Sequence, residues 1–333
     1  NKSFNVDANF ESDPNEGRID LSKLAAQGAG LNIDGKLNAK NMDSKNGTID
    51  GKLSIAGSDL KDLLTAVGQA EMAKTVKKLK VDAGLSGTTA NMTLAPLNVV
   101  ASVLSGGKPV DVTLGAGSAQ ANLDKETLAL KGLSLTGLGM NVKGNINATK
   151  IKSEPAFTGD LNVPAFNLRK VLASFGKPQK TQDPKALTSF GMTTKLAGTS
   201  KSVKLNGLNM KLDKTTLKGD IDVKNFEGPD LAFGLGIDQI NLDNYLAPKQ
   251  KAPTPEAAAA GAATLPVETL RKLKIKGDLL IGSLVLSGAK MKDVKVSINA
   301  NGGQININPV SANLYEGTYK GNIGLNAKGK VPT

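Results

Sequence analysis

Residues 203–237 read VKLNGLNMKLDKTTLKGDIDVKNFEGPDLAFGLGI, and their spacing decides the fold. Apolar residues return at alternate positions in short runs: Val203 and Leu205, then Leu208, Met210 and Leu212, then Leu217, Ile221 and Val223, then Leu231, Phe233, Leu235 and Ile237. Lys204, Asn206, Asn209, Lys211, Asp220 and Asp222 stand between them. A period of two is that of a strand with one buried and one wet face. Turn pieces such as LDKTTLKG, residues 212–219, separate the runs, so neighbouring strands should pair antiparallel in a meander.

The same spelling recurs upstream. LKGLSLTGLGMNVKGNI at residues 130–146 lies over LNGLNMKLDKTTLKGDI at residues 205–221, with Gly132 over Gly207 and Gly144 over Gly219. DGKLSIAGSDLKDLLTAVG at residues 50–68 lies in the same way over TGDLNVPAFNLRKVLASFG at residues 158–176. Each member of the second pair spells a strand, a short helix and a glycine stop. Internal likeness of this kind is what a repeat-built sheet leaves in a sequence.

Helical spacing is scarce. Over residues 59–80, Leu60, Leu63, Leu64 and Val67 form one stripe, which predicts an amphipathic helix. A shorter helix is expected over residues 167–175, capped by Asn167 and stopped by Gly176, and Asp183 before Pro184 marks another start within 167–190. PKQKAPTPEAAAAGAAT at residues 248–264 breaks every period and reads as a flexible linker or an insertion between two strands. The chain therefore divides into a repeat-built β-groove over 1–247, the linker over 248–264, and a continuation of the groove over 265–333.

Composition limits the chemistry. With 333 residues there is ample length for a core, yet only 3% of them are aromatic and none is tryptophan, so the core must be aliphatic. The absence of cysteine and histidine removes disulfides, thiol catalysis and the usual transition-metal ligands. No serine-hydrolase elbow, phosphate-binding loop or metal-ligand spacing is spelled out, so no enzyme activity, cofactor or metal is expected. Asp220 and Asp222 share a strand face and could imitate a carboxylate pair, but alternate charges are the ordinary content of a wet face.

The net charge is +12, and among 42 basic residues only Arg18, Arg169 and Arg271 are arginine. Nucleic-acid recognition relies on arginine forks and stacking aromatics, so nucleic acid is not an expected partner. Lysines scattered along the sequence keep sheet faces and edges soluble; attraction to an anionic membrane surface is their functional reading. The longest apolar run, LNVVASVL at residues 97–104, is too short to span a bilayer, and the opening NKSFNVDANF carries no signal-peptide pattern and reads like the interior of a longer protein.

A long meander with one aliphatic face must hide that face, and helical segments are too few to cover it. The fold expected is mainly β: an elongated, strongly twisted antiparallel sheet curled into a hydrophobic groove, with a few short helices at edges or ends. A closed sandwich core would leave the same alternation. On the groove reading the lining residues are Leu128, Leu130, Leu133, Leu135, Met140, Val142 and Ile146 in the upstream repeat. They continue with Leu205, Leu208, Met210, Leu212, Leu217, Ile221, Val223, Leu231, Phe233, Leu235 and Ile237, and beyond the linker with Leu279, Ile281, Leu284, Leu286, Val294, Val296, Ile298, Ile305 and Ile307.

Six pieces in order, NLRKVL, DP before a short helix, LKGDIDV, IDQINLDNYL, LPVETLRKLKIKGDLLIG and PVSANLYEGTYKG, resemble the AsmA family of bacterial envelope proteins. The likeness runs over about residues 155–325, with a weaker one upstream, and its motifs are structural rather than catalytic. The resemblance implies a periplasmic protein tethered to the inner membrane by an amino-terminal helix, whose curled sheet binds acyl chains of phospholipid and supports lipid transport and outer-membrane assembly in Gram-negative cells. The partners implied are an acyl-chain lipid, the inner membrane and outer-membrane or envelope proteins. The alternative is a non-enzymatic scaffold that adds partner strands at its open sheet edges.

Overall fold

The computed structural model describes residues 5–28, 30–42, 44, 47–58, 60–66, 68, 70–88, 90–226, 228–248, 271–272 and 274–329. The chain is mainly β, with 19 strands among these residues, and it clusters into two compact units. Unit one comprises Asn1–Pro164 with Lys170–Lys177, and unit two comprises Ala165–Arg169 with Pro178–Thr333.

Unit one is a meander of β1 (Asn5–Asp13), β2 (Arg18–Gly28), β3 (Leu31–Lys40), β4 (Thr48–Ser58), β5 (Val76–Thr88), β6 (Asn91–Ser105), β7 (Lys108–Ala116), β8 (Ser118–Asn122), β9 (Thr127–Gly137), β10 (Met140–Thr149) and β11 (Ala156–Phe166). All its pairings are antiparallel. Between β6 and β9 the ladder is shared: β7 pairs with Leu97–Ser105 of β6 and β8 with Asn91–Leu94. Pro96, which has no N–H to donate, sits where β6 passes from one to the other.

The helical spacing over 59–80 is realised only in part. It gives α1 (Lys61–Ala66) and α2 (Ala70–Thr75), after which β5 begins at Val76. Leu79, Val81, Ala83 and Leu85 alternate, and pairing with β4 and β6 on both sides overrides the helical pattern. Leu60 of the expected stripe is buried at 2% and Leu64 is half-buried; Val67 and the Leu63 side chain lie outside the described part.

The second expected helix is α3 (Leu168–Ser174). Gly176 ends it at φ +72°, with its N–H donating to Ala173 and that of Lys177 donating to Leu172 at 2.9 Å, the double bond of a Schellman cap. The helix expected after Asp183 is not formed. Asp183 instead holds a turn through the Lys185 N–H, and Leu187 takes φ +64°.

Unit two runs through β12 (Phe190–Thr199), β13 (Ser202–Leu212), β14 (Thr215–Lys224), β15 (Asp230–Asn241), a 3-10 turn at Leu242–Tyr245, β16 (Lys274–Leu286), β17 (Ala289–Asn301), β18 (Gln304–Leu314) and β19 (Gly317–Asn326). Neighbours pair antiparallel except β15 and β16, which run parallel from Asp230 opposite Lys274 to Asn241 opposite Val285. A parallel pair needs a long crossover, and residues 242–273 supply it. The linker expected at 248–264 falls within that connection and, apart from Pro248, lies outside the described residues.

One device bends the strands. Leu24, Leu133, Leu208 and Val310 each follow a one-residue bulge and each stand opposite a glycine on the next strand, Gly35, Gly144, Gly219 and Gly321. In two of these hairpins the bulge carries a left-handed glycine, Gly132 at φ +62° and Gly207 at φ +60°. Its N–H is held by a side chain across the ladder: Asn145 Oδ1 at 2.9 Å and Asp220 Oδ1 at 2.8 Å. A bulge keeps the aliphatic side chain on its face while bending and further twisting the strand.

Candidate functional site

Directly opposed residues of paired strands place their side chains on one face. In unit two the registers therefore link aliphatic residues into rows that cross the strands. One row is Val203, Val223, Leu231, Ile275, Ala300 and Ile305, and the next is Leu205, Ile221, Phe233, Gly277, Ile298 and Ile307. The third is Leu208, Gly219, Leu235, Leu279, Val296 and Val310, and the fourth is Met210, Leu217, Ile237, Ile281 and Val294. Leu212 faces Phe190 and Thr215, Leu284 faces Ile240 and Met291, and Leu286 faces Ala289. All residues named for this region in the sequence thus share one face.

The face is only partly shielded. In the four rows Leu208, Gly277, Ile281, Val294 and Ala300 are buried, and every other member is half-buried. Gly277 is a special position: a Cβ there would fall 2.6 Å from the Phe233 ring carbons, so the ring lies over the glycine.

In unit one Leu128 faces Ala148, Leu130 faces Ile146, Leu133 faces Gly144, Leu135 faces Val142, and Met140 faces Gly137, again on one face of a hairpin. Sequence reasoning passed over further aliphatic residues toward the amino terminus. Leu31, Ile33 and Leu53 on β3 and β4 stand opposite Gly57, Ile55 and Gly35, and Leu79, Val81 and Leu85 extend the set on β5. The alternation in LNIDGKLNAK and DGKLSIAG carried the signal.

One end of the unit-two face is closed. Ile281, Leu284, Val294 and Ala312 form a buried cluster, with Leu242 of the 3-10 turn, Ile237, Ile240, Leu279, Met291 and Val296 packed on it. Polar staples hold the turn in place. Asn241 Oδ1 accepts from the Asp243 N–H at 3.1 Å, and the Asp243 carboxylate accepts from Ser287 and Gly288 N–H at 2.6 and 2.8 Å. Tyr245 donates its hydroxyl to Asp213 Oδ2 at 3.0 Å, and Asp213 also takes the N–H groups of Leu187, Thr188 and Ser189. Arg169 ties the same loop through the carbonyls of Ala186 at 2.9 Å and Gln179 at 2.7 Å.

Burial works to raise the Asp213 pKa, but the Leu187 and Ser189 N–H groups and the Tyr245 hydroxyl outweigh it and hold the carboxyl below its ordinary value. Burial and the neighbouring Asp213 carboxylate push Tyr245 up to about 12. Both groups are committed to the cap.

Asp220 and Asp222, the carboxylate pair of the polar face, are also engaged. Asp220 holds the Gly207 bulge, while Asp222 pairs with Lys204 at 3.4 Å and Lys224 at 3.7 Å. Among the described residues no group of three or more acidic side chains is placed to hold a metal ion, and no helix is long and apolar enough to cross a membrane.

Fold and face together define a mainly β protein whose twisted sheet turns rows of aliphatic side chains to one side. Residues 181–332 match the model of the AsmA family, a bacterial envelope family, and this match supports the resemblance read from the sequence. Neither the comparison with curated proteins nor that with solved structures returned a match.

Proposed function

We propose that the aliphatic face binds the acyl chains of phospholipid and supports their movement between the inner and outer membranes, with the protein held in the periplasm and tethered to the inner membrane. The observation that supports this reading is the continuity of the rows across the strands of unit two, with most of their members only half-buried. Large apolar faces left in contact with solvent mark ligand or membrane sites. Each methylene moved from water to such a lining gains about 0.8 kcal/mol, so a chain of about sixteen carbons resists release by on the order of 10 kcal/mol. On an unbroken lining each methylene that leaves one contact meets the next, and the head group stays wet. The reading is non-enzymatic and needs no cofactor.

The test is lipid carried through purification. Protein isolated without detergent should release phospholipid in native mass spectrometry, and Leu235→Asp should lose it while keeping the far-ultraviolet circular dichroism of a β-sheet. A wild-type chain that is lipid-free and takes up no labelled phospholipid ends the proposal.

The scaffold reading is favoured by one separate feature. Among the described residues β1 pairs only with β2 and β19 only with β18, and both carry exposed apolar side chains, Val6 and Phe10 on one, Tyr319 and Ile323 on the other. A specific envelope protein recovered by crosslinking at these edges, from a chain that carries no lipid, would select it.

A further inference from the structure

The lysines look evenly scattered in the sequence, but the ladder of unit two sorts them. At the end where β13, β15, β16 and β18 begin, the turns carry Lys201, Lys224, Arg271, Lys272, Lys274 and Lys328, against Asp230 and, in sequence, Glu227. The other end carries Lys180, Lys185, Lys214 and Lys290 against Asp183, Asp213, Asp238, Asp243 and Glu316. The charge excess therefore sits on the rim away from the stapled cap.

Phe226 stands on that basic rim. It lies in the turn between β14 and β15 and is 51% exposed, with Lys224 two residues before it. The turn is fixed rather than trailing: Asn225 takes φ +56° and donates its N–H to the Lys201 carbonyl at 2.7 Å, which brings Lys201 alongside. Tyr315 at the opposite end is more exposed, at 85%, but Glu316 follows it and the acidic turns surround it.

Behind the basic rim a cavity of about 290 Å³ opens on the polar face, lined by Lys224, Lys274, Lys276, Asp222 and Asp230 among others. Its charge is largely answered from within, because Lys224 pairs with Asp222 and Lys274 pairs with Asp230 at 3.3 Å. Among the described residues the uncompensated charge is on the exposed rim lysines Lys201, Lys272 and Lys328.

We infer that this rim of unit two docks on an anionic phospholipid bilayer surface, with Phe226 entering the head-group layer and Lys201, Lys272 and Lys328 lying against lipid phosphates. Cations draw a surface toward anionic lipid within a Debye length, and an exposed ring among them supplies the apolar contact that a bare charge patch lacks. A nucleic acid would use the same charges but gives an isolated phenylalanine at a turn tip no comparable role.

Vesicle sedimentation of the full chain tests this. Vesicles of equal phosphatidylcholine and phosphatidylglycerol should retain the protein and phosphatidylcholine alone should not, and added salt should weaken retention. Reversing Lys201, Lys272 and Lys328 to Glu should lower partition by on the order of a hundredfold, at roughly fivefold or more per lysine. Phe226→Ser should lower it roughly tenfold. Reversing Lys180, Lys185 and Lys214 on the opposite rim should leave it within about twofold.

Phe226→Trp supplies the chain's sole tryptophan, whose emission should shift to the blue on anionic vesicles. Equal losses from both rims, an unshifted tryptophan, or tight binding to a DNA duplex without binding to vesicles would each overturn the inference. Leu235→Asp should dock like the wild type, so failure of docking and failure of acyl-chain binding read out separately.

Discussion

The aliphatic face of unit two is built in two ways from one pattern. Around Ile281 and Leu284 the side chains are 7% exposed, because Leu242 and its stapled turn pack on them. Leu235 and Leu279, further along the same face, remain half-buried. Alternation puts a side chain on a face; at Ile281 and Leu284 a segment packed over that face makes it core. The contrast predicts unequal costs for the same truncation. Leu284→Ala should destabilise unit two by about 3 kcal/mol, the cost of lost burial plus a cavity, whereas Leu235→Ala should cost about 1 kcal/mol because its side chain is only half-buried. Urea titrations followed by circular dichroism compare them directly, and equal midpoints would mean that the middle of the face is as closed as its end.

What the sequence made legible follows from the same contrast. Val203 to Ile237 alternate cleanly, so strand direction, register and shared face could be read from spacing. The bulges were half-legible: Leu205 and Leu208 are three apart rather than two, and Gly207 between them supplies the positive φ that absorbs the extra residue. The parallel pairing of β15 and β16 left no local mark, since LAFGLGI and KIKGDLLIG alternate alike in either direction and the long crossover decides. The cap was illegible because its bonds are distant. Asp213 looks like an ordinary turn residue in LDKTT, while its donors are 24 to 32 residues away.

The bulge hairpins give a second comparison, between units. Gly132 and Gly207 take nearly the same φ, and a Cβ at Gly207 would meet nothing within 4 Å while one at Gly132 would meet Gly117 only at ordinary contact distance. Space is therefore available at both, and the cost of Gly→Ala is conformational. Forcing an alanine into the left-handed region costs about 1–2 kcal/mol, partly offset by about 0.4–1 kcal/mol from a stiffer unfolded chain. The net loss should be close to the same in both units, read as paired shifts in the denaturation midpoint. A much larger loss at one would mean that its bulge bears more of the bend.

The smallest effect expected separates the cap from the rest of the aliphatic face by its pH dependence. The folded protein prefers ionised Asp213, so that preference stabilises it above the ordinary carboxylate value of about 3.9 and is lost as pH falls through the lower folded value. Tyr245 has the opposite sign. Its folded value is raised to about 12, so its contribution is complete below the ordinary value of about 10 and is lost as pH climbs between the two. Tyr245→Phe should remove the alkaline loss altogether and shrink the acid one, because one of the donors that depress Asp213 is gone. At neutral pH the substitution should cost about 1 kcal/mol, the net worth of one hydrogen bond. Exchange of the Ser287 and Gly288 amides reports the neighbouring staple to Asp243, and their faster exchange in Tyr245→Phe would show that the two staples hold the turn together. Unchanged exchange there, with faster exchange confined to Leu187 and Ser189, would show instead that the loop and the turn are pinned independently, the Asp243 staple and packing together keeping Leu242 seated on its cluster.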